Sequence, residues 1–224
     1  TAMGRLGLQE QELTALLTRE PELAQSARIG LVMSHLACGG EPEHPLNAAQ
    51  RTQFTRMAAP LSGIPRSLCN SAGIFLDASF HGDLARPGCS LYGIAPQTGA
   101  LNPMQQVASW QAPILMLRTL ERDQSIGYGA TAHAEQGTKI ATVATGYADG
   151  FLRSLSNKAA GYIGKHRVHL LGRVTMDMLC FDVSAVPERD LNTATHIELL
   201  GDRDGIRIDD VADAAGTIGY VVFT

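Results

Sequence analysis

The sequence predicts an α/β unit of the β/α-barrel type over residues 1–103, followed by an all-β domain over 104–224. Three observations predict it. Over the first hundred residues, short apolar runs alternate with amphipathic helical spacing, the grammar of right-handed βαβ units on a parallel sheet. Polar residues stand directly after those runs, Ser34 and His35 after one, Asn70 and Ser71 after another. A β/α barrel keeps its chemistry at such strand ends. Beyond Pro103, strand-like segments succeed one another with Gly, Asp and Asn turns between them, the grammar of a compact β domain.

Taken in order, Leu8, Leu13, Leu16 and Leu17 carry helical spacing. Ile29–Met33 is a short continuous apolar run, as a buried parallel strand shows. Pro45 to Ala59 reads as a helix with Leu46, Phe54 and Met57 on one side. Ser67-Leu68-Cys69 reads as the next strand, Asn70-Ser71-Ala72-Gly73 as the entry to a short helix, and Leu91–Ile94 as the last strand of the series. In the second part the predicted strands are Ala112–Arg118, Lys139–Gly146, Val168–Leu171, Met178–Val183 and Ile197–Gly201, with a helix at Asp209–Ala215.

Composition narrows the function classes. The 224 residues are 45% hydrophobic and 18% charged, which suits a packed globular chain. A net charge of -4 with mixed signs offers nucleic acid no basic face. No apolar run approaches the roughly 20 residues a membrane span needs. Cys38, Cys69, Cys89 and Cys180 lie singly, with no CxxC pair, so the sequence predicts no metal site and four reduced thiols in a cytoplasmic protein.

Three local patterns carry chemistry. Tyr128 stands between Gly127 and Gly129, on backbone that can approach a ligand closely. A phenol with a pKa near 10 becomes a base at neutral pH only where cations favour its phenolate. Arg86, before Pro87-Gly88, carries a guanidinium that keeps its proton. Asn70-Ser71-Ala72-Gly73 offers a hydroxyl and free amides where a loop enters a helix, which suits an anion.

Nine stretches in register resemble the alanine racemases, pyridoxal-phosphate enzymes built as a (β/α)8 TIM-type barrel and a β domain. They are Met3–Gly7, Ser34–Ala37, Glu41–Asn47, Asn70–Gly73, Arg86–Gly93, Gly127–Thr131, Gly146–Gly150, Gly172–Asp177 and Thr217–Tyr220. The resemblance implies that residues 1–103 are the C-terminal portion of the barrel that binds pyridoxal 5'-phosphate. It implies interconversion of L- and D-alanine by two opposed bases at the α-carbon, Tyr128 serving the L face and a cofactor lysine the D face. By the same resemblance His35 relays hydrogen bonds to the tyrosine and contacts Arg86, which faces the cofactor's pyridine nitrogen. A ring nitrogen facing a guanidinium stays unprotonated, which favours racemisation over transamination. Asn70, Ser71, the amides of Gly88 and Cys89, and the Tyr220 hydroxyl would hold the cofactor phosphate. Arg5 and the backbone of Met176 would hold the substrate carboxylate, with Tyr147 at the site entrance. Val221 follows Tyr220 where the family usually has an acidic residue.

The resemblance also places the cofactor lysine before Thr1. The chain's three lysines, Lys139, Lys158 and Lys165, all lie in the second half. The opening reads as mid-enzyme, so the expectation is a chain lacking the N-terminal third and inactive alone. Its barrel portion would need the missing strands, from a complementing N-terminal fragment or another subunit. A head-to-tail homodimer is implied, with Tyr128 and Met176 reaching the partner's barrel. The alternatives are a broader-specificity amino-acid racemase of the same fold, or a non-catalytic truncated fragment.

Overall fold

The computed structural model describes residues 1, 3–25 and 28–224; Ala2, within the opening stretch, lies outside the described residues. Two compact units are present, one formed by Thr1–Leu91 with Ala95–Pro103, the other by Tyr92–Ile94 with Met104–Thr224.

The first unit opens with α1 (Glu10–Arg19). The Gln9 amide donates to the Glu12 carboxylate at 2.6 Å and so closes a capping box. Strand β1 (Val32–Met33) and strand β2 (Arg66–Ser67) are parallel, paired Val32 to Arg66 and Met33 to Ser67. Helix α2 (Pro45–Ala58) crosses between them. It starts on Pro45, whose missing N–H costs nothing in the first turn, and His44 Nδ1 accepts the Leu46 amide at 3.2 Å. Helix α3 (Ser71–Ile74) follows β2, capped by Asn70. The ladder is extended by an isolated parallel bridge between Asn70 and Arg86. Leu36, Phe54, Leu68 and Phe80 form the core, with Val32 and Leu76 against them.

Three expectations need correction here. The strands predicted over Ile29–Met33 and Ser67–Cys69 shrink to the two registered pairs, because pairing sets strand length and apolarity alone does not. The buried face of α2 is Asn47, Gln50, Phe54 and Ala58, with Leu46 and Met57 only half-buried. Both polar residues stay inside by hydrogen bonding: Asn47 Nδ2 donates to the Glu41 carbonyl at 2.9 Å, and Gln50 Nε2 to the His35 carbonyl at 3.0 Å. The strand predicted at Leu91–Ile94 is instead a 3-10 turn over Cys89–Tyr92. Gly93 ends it at φ +85°, where a Cβ would stand 2.6 Å from the Gln105 carbonyl oxygen, so no extended strand passes through.

The second unit is a closed antiparallel barrel. Its strands are β3 (Trp110–Thr119), β6 (Lys139–Val143), β7 (Ala160–Ile163), β8 (His166–Leu171), β9 (Leu179–Asp182) and β10 (His196–Leu200), ordered β10-β3-β6-β9-β8-β7. Strand β3 serves two neighbours, pairing Trp110–Pro113 with β10 and Ile114–Thr119 with β6. Alternation is plain in β9, where Leu179 and Phe181 are buried, and in β8, where Val168 and Leu170 are. A hairpin of β4 (Gln124–Ile126) and β5 (Ala132–Ala134) packs Ile126 and Ala134 with Leu120 and Ile140. Strands β4, β5 and β7 were not predicted. The short helix α4 (Glu188–Leu191) precedes β10, and α5 (Ile208–Ala215) ends on Gly216 at φ +72°. Helix α6 (Gly219–Val222) follows. All four cysteines are unpaired, and among the described residues no helix is long and apolar enough to cross a membrane.

Candidate active site

In the first unit the parallel ladder brings Arg86 alongside the end of β1. Its guanidinium donates to the Ser34 carbonyl at 2.7 Å, to the Leu68 carbonyl at 3.4 Å and to the Ser67 hydroxyl. Three fixed acceptors hold a planar fork in one orientation. His35 lies between Arg86 and Asn70: its Nδ1 is 3.4 Å from the guanidinium and its Nε2 is 3.4 Å from Asn70 Nδ2. Both neighbours are donors, and a neutral imidazole can accept at one nitrogen only, so at most one of these contacts is a hydrogen bond. Burial, then the positive charges of Arg5 and Arg86, hold the His35 pKa below its ordinary value. The arrangement therefore keeps the ring uncharged. Arg5 itself is exposed.

Beside this cluster the Ser71 hydroxyl accepts the Gly88 amide at 2.8 Å and the Ser90 amide at 3.3 Å. The Cys89 amide has no partner among the described residues. A Cβ on Gly88 would meet nothing within 4 Å, so open space adjoins the amides. Asn70 is engaged locally, its Oδ1 accepting the Gly73 amide at 3.0 Å as the cap of α3. Gly73 packs against Cys69 and Leu36 too tightly for a Cβ, which would stand 2.7 and 2.8 Å from them. The buried Ser90 hydroxyl oxygen has no hydrogen-bond partner among the described residues. Nothing in the sequence singled out Ser90, one serine in a turn. Gln50 was missed too, since a polar residue on a helix reads as solvent-facing.

In the second unit Tyr128 occupies the turn of the β4–β5 hairpin and is 74% exposed. Gly127 and Gly129 flank it at φ +73° and +74°, and Ala130 follows at φ +49°. Left-handed backbone on both sides is what the two glycines supply. A Cβ on Gly129 would stand 3.2 Å from the Arg173 guanidinium carbon, so a cation adjoins the tyrosine's turn. Tyr147 and Met176, both exposed, lie on two loops joined by main-chain hydrogen bonds. The Tyr147 amide donates to the Thr175 carbonyl and the Ala148 amide to the Met176 carbonyl, each at 2.9 Å. Tyr220, half exposed, sits on α6.

The structure thus brings together His35, Arg86 and Asn70, then Ser71 with Gly88, and separately Tyr147 with Met176. Parallel strands ending in an arginine, a histidine and a hydroxyl-and-amide cradle, followed by a β barrel displaying a tyrosine between glycines, define a class. It is that of β/α-barrel chains with a C-terminal β domain.

Family models agree in both halves. Residues 1–96 match the alanine racemase N-terminal domain and residues 107–224 the alanine racemase C-terminal domain. The chain belongs to the alanine racemase family. It is 49% identical over 224 residues to the alanine racemase of Rhodospirillum rubrum, covering all of this chain and 59% of that protein. Among solved structures, biosynthetic alanine racemase from Pseudomonas aeruginosa superposes with a TM-score of 0.85 at 36% identity, over 99% of this chain and 61% of that one. The Bartonella henselae alanine racemase, solved with covalently bound pyridoxal phosphate, gives 0.85 at 33% identity over the same shares. The fold class is accordingly that read from the sequence, part of a β/α barrel and then a β domain. The chain spans about three fifths of the length of these relatives.

Proposed function

We propose that the whole protein interconverts L- and D-alanine with pyridoxal phosphate. The likeness to an alanine racemase across all 224 residues carries this reading. The residues present fit the cofactor: among the described residues the buried Ser90 hydroxyl and the Cys89 amide lack partners, and Gly88 leaves open space where a phosphate would sit. Ser71, Gly88, Cys89 and Tyr220 would hold that phosphate, the hydroxyl of Ser71 rotating to donate. Asn70 supports the cradle by fixing the start of α3 and facing His35. When bound, the cofactor draws electrons from the α-carbon and so acidifies its proton.

The chain's own groups then divide the work. Arg86, held by three acceptors, presents a proton it cannot release, so a ring nitrogen against it stays unprotonated. The neutral His35 passes hydrogen bonds without adding charge. Tyr128 exchanges the proton on the L face of the α-carbon. Arg5 and the Met176 amide take the carboxylate, and Tyr147 lines the entrance. A head-to-tail homodimer suits the exposure of Tyr128 and Met176, and four unpaired cysteines suit a cytoplasmic setting. The 224-residue chain alone is proposed to be inactive, because Lys139, Lys158 and Lys165 all belong to the second unit.

Chiral chromatography of the full-length protein with cofactor and either alanine enantiomer tests this directly. Both should reach the same near-equal mixture. Serine racemised as fast as alanine would move the reading to a broad-specificity racemase, and no exchange of either would end it.

A further inference from the structure

Gly146 ends the β6 loop in extended backbone, at φ -164°, where any residue's dihedrals would do. Its requirement is space. A Cβ built there would overlap the main-chain carbon and oxygen of Met176 and the carbonyl oxygen of Thr175. The next two amides, of Tyr147 and Ala148, donate to the Thr175 and Met176 carbonyls at 2.9 Å each, so three consecutive residues form a rail against the other loop. The rail is itself braced, the Gly146 amide donating to Asp149 Oδ2 at 2.9 Å. On the far side Thr175 Oγ1 donates to the Met178 carbonyl at 2.5 Å and fixes the loop's return. Both carbonyls flanking the Met176 amide are thereby engaged, while that amide has no partner among the described residues.

We propose that Gly146 is a positioning residue for substrate, holding the Met176 amide ready for a carboxylate. The inference rests on the functional reading above and extends it to a residue that touches no ligand. Two peptide units locked by their oxygens leave one N–H fixed and unpaired, which is the preorganisation an anion donor requires. The ligand class is a small carboxylate, alanine among them.

The test uses the full-length protein as Gly146→Ala, and as Asp149→Ala, an exposed change that loosens the rail without overlap. The probe is propionate, a carboxylate without an amine. Gly146→Ala should weaken propionate binding and raise the KM for alanine by about tenfold or more. The kcat should fall by less than about threefold, since the contact is made equally in ground and transition states. Pyridoxal phosphate titration should be unchanged. Asp149→Ala should shift propionate binding in the same direction by a smaller factor. Unchanged propionate affinity in both folded variants overturns the proposal, as does a fall in kcat at constant KM. Should Gly146→Ala not fold, Asp149→Ala decides alone by the same readings. Absence of alanine racemisation in the unmodified protein would sink the functional reading, while calorimetric binding of propionate to the same variants would still decide the role of Gly146.

Discussion

The carboxamide of Gln50 grips the main chain on both sides of Leu36, directly after His35. Its nitrogen donates to the His35 carbonyl at 3.0 Å and to the Thr1 carbonyl, and its oxygen accepts the Ala37 amide at 2.8 Å. The side chain is 1% exposed, so water cannot replace these bonds.

Gln50→Met should keep the volume and orphan a buried donor and acceptor. The expected loss is about 1–3 kcal/mol of stability for a group so stranded, read by urea denaturation. A loss below about 0.5 kcal/mol would mean that the loop around His35 relaxes onto other partners.

The charge state of His35 sets a pH dependence. Its folded pKa lies below the ordinary 6.5, through burial, Arg5 and Arg86, so on acidification the unfolded chain binds the proton first. The stability held by a neutral His35 is complete above pH 6.5 and is lost as the pH falls through the folded pKa. His35→Gln should flatten the stability profile below pH 6.5, and the ring's NMR titration midpoint should fall under 6.5. A midpoint above that value would show that the guanidinium does not act on the ring.

Ser71→Ala in the full-length protein removes the hydroxyl at the centre of the cradle. Pyridoxal phosphate should bind about 10–100-fold more weakly, the worth of one hydrogen bond to a charged group. Absorbance titration measures it, and an affinity within about twofold of the unmodified protein would relocate the phosphate elsewhere.

Tyr128→Phe removes one oxygen from an exposed turn, so cofactor binding should survive. Racemisation should fall by about 10²–10⁴-fold in both directions, since each uses Tyr128 once as acid or base. Wash-out of α-deuterium should persist better from D-alanine than from L-alanine. Equal loss from both enantiomers would make Tyr128 a structural residue.

Reading the chain before its structure succeeded where one local rule decided the outcome. The strand-then-polar pattern located Ser34, His35, Asn70 and Ser71 near strand ends, and alternation located β8 and β9. It failed where the deciding partner is remote. Gln50 is buried because three backbone groups distant in sequence need it, and Gly146 is small because the Met176 loop passes over it. Leu91–Ile94 looks like a strand by residue type, but Gly93 turns the chain at φ +85° and Gln105 leaves no room there for a Cβ. Strands β4 and β5 are three residues each, too short and too mixed in polarity for period-two reading.

The barrel closes between β7 and β10 through a single registered pair, Tyr162 with Glu198, whereas β3 meets β6 along five. Gly161, beside it, leaves no room for a side chain, since a Cβ would stand 2.6 Å from Ile197 Cγ2. The barrel thus behaves as a rolled sheet with one thin seam. Amides along β7 and β10 should exchange with solvent ahead of those between β3 and β6. When it breathes, the cylinder unrolls there first.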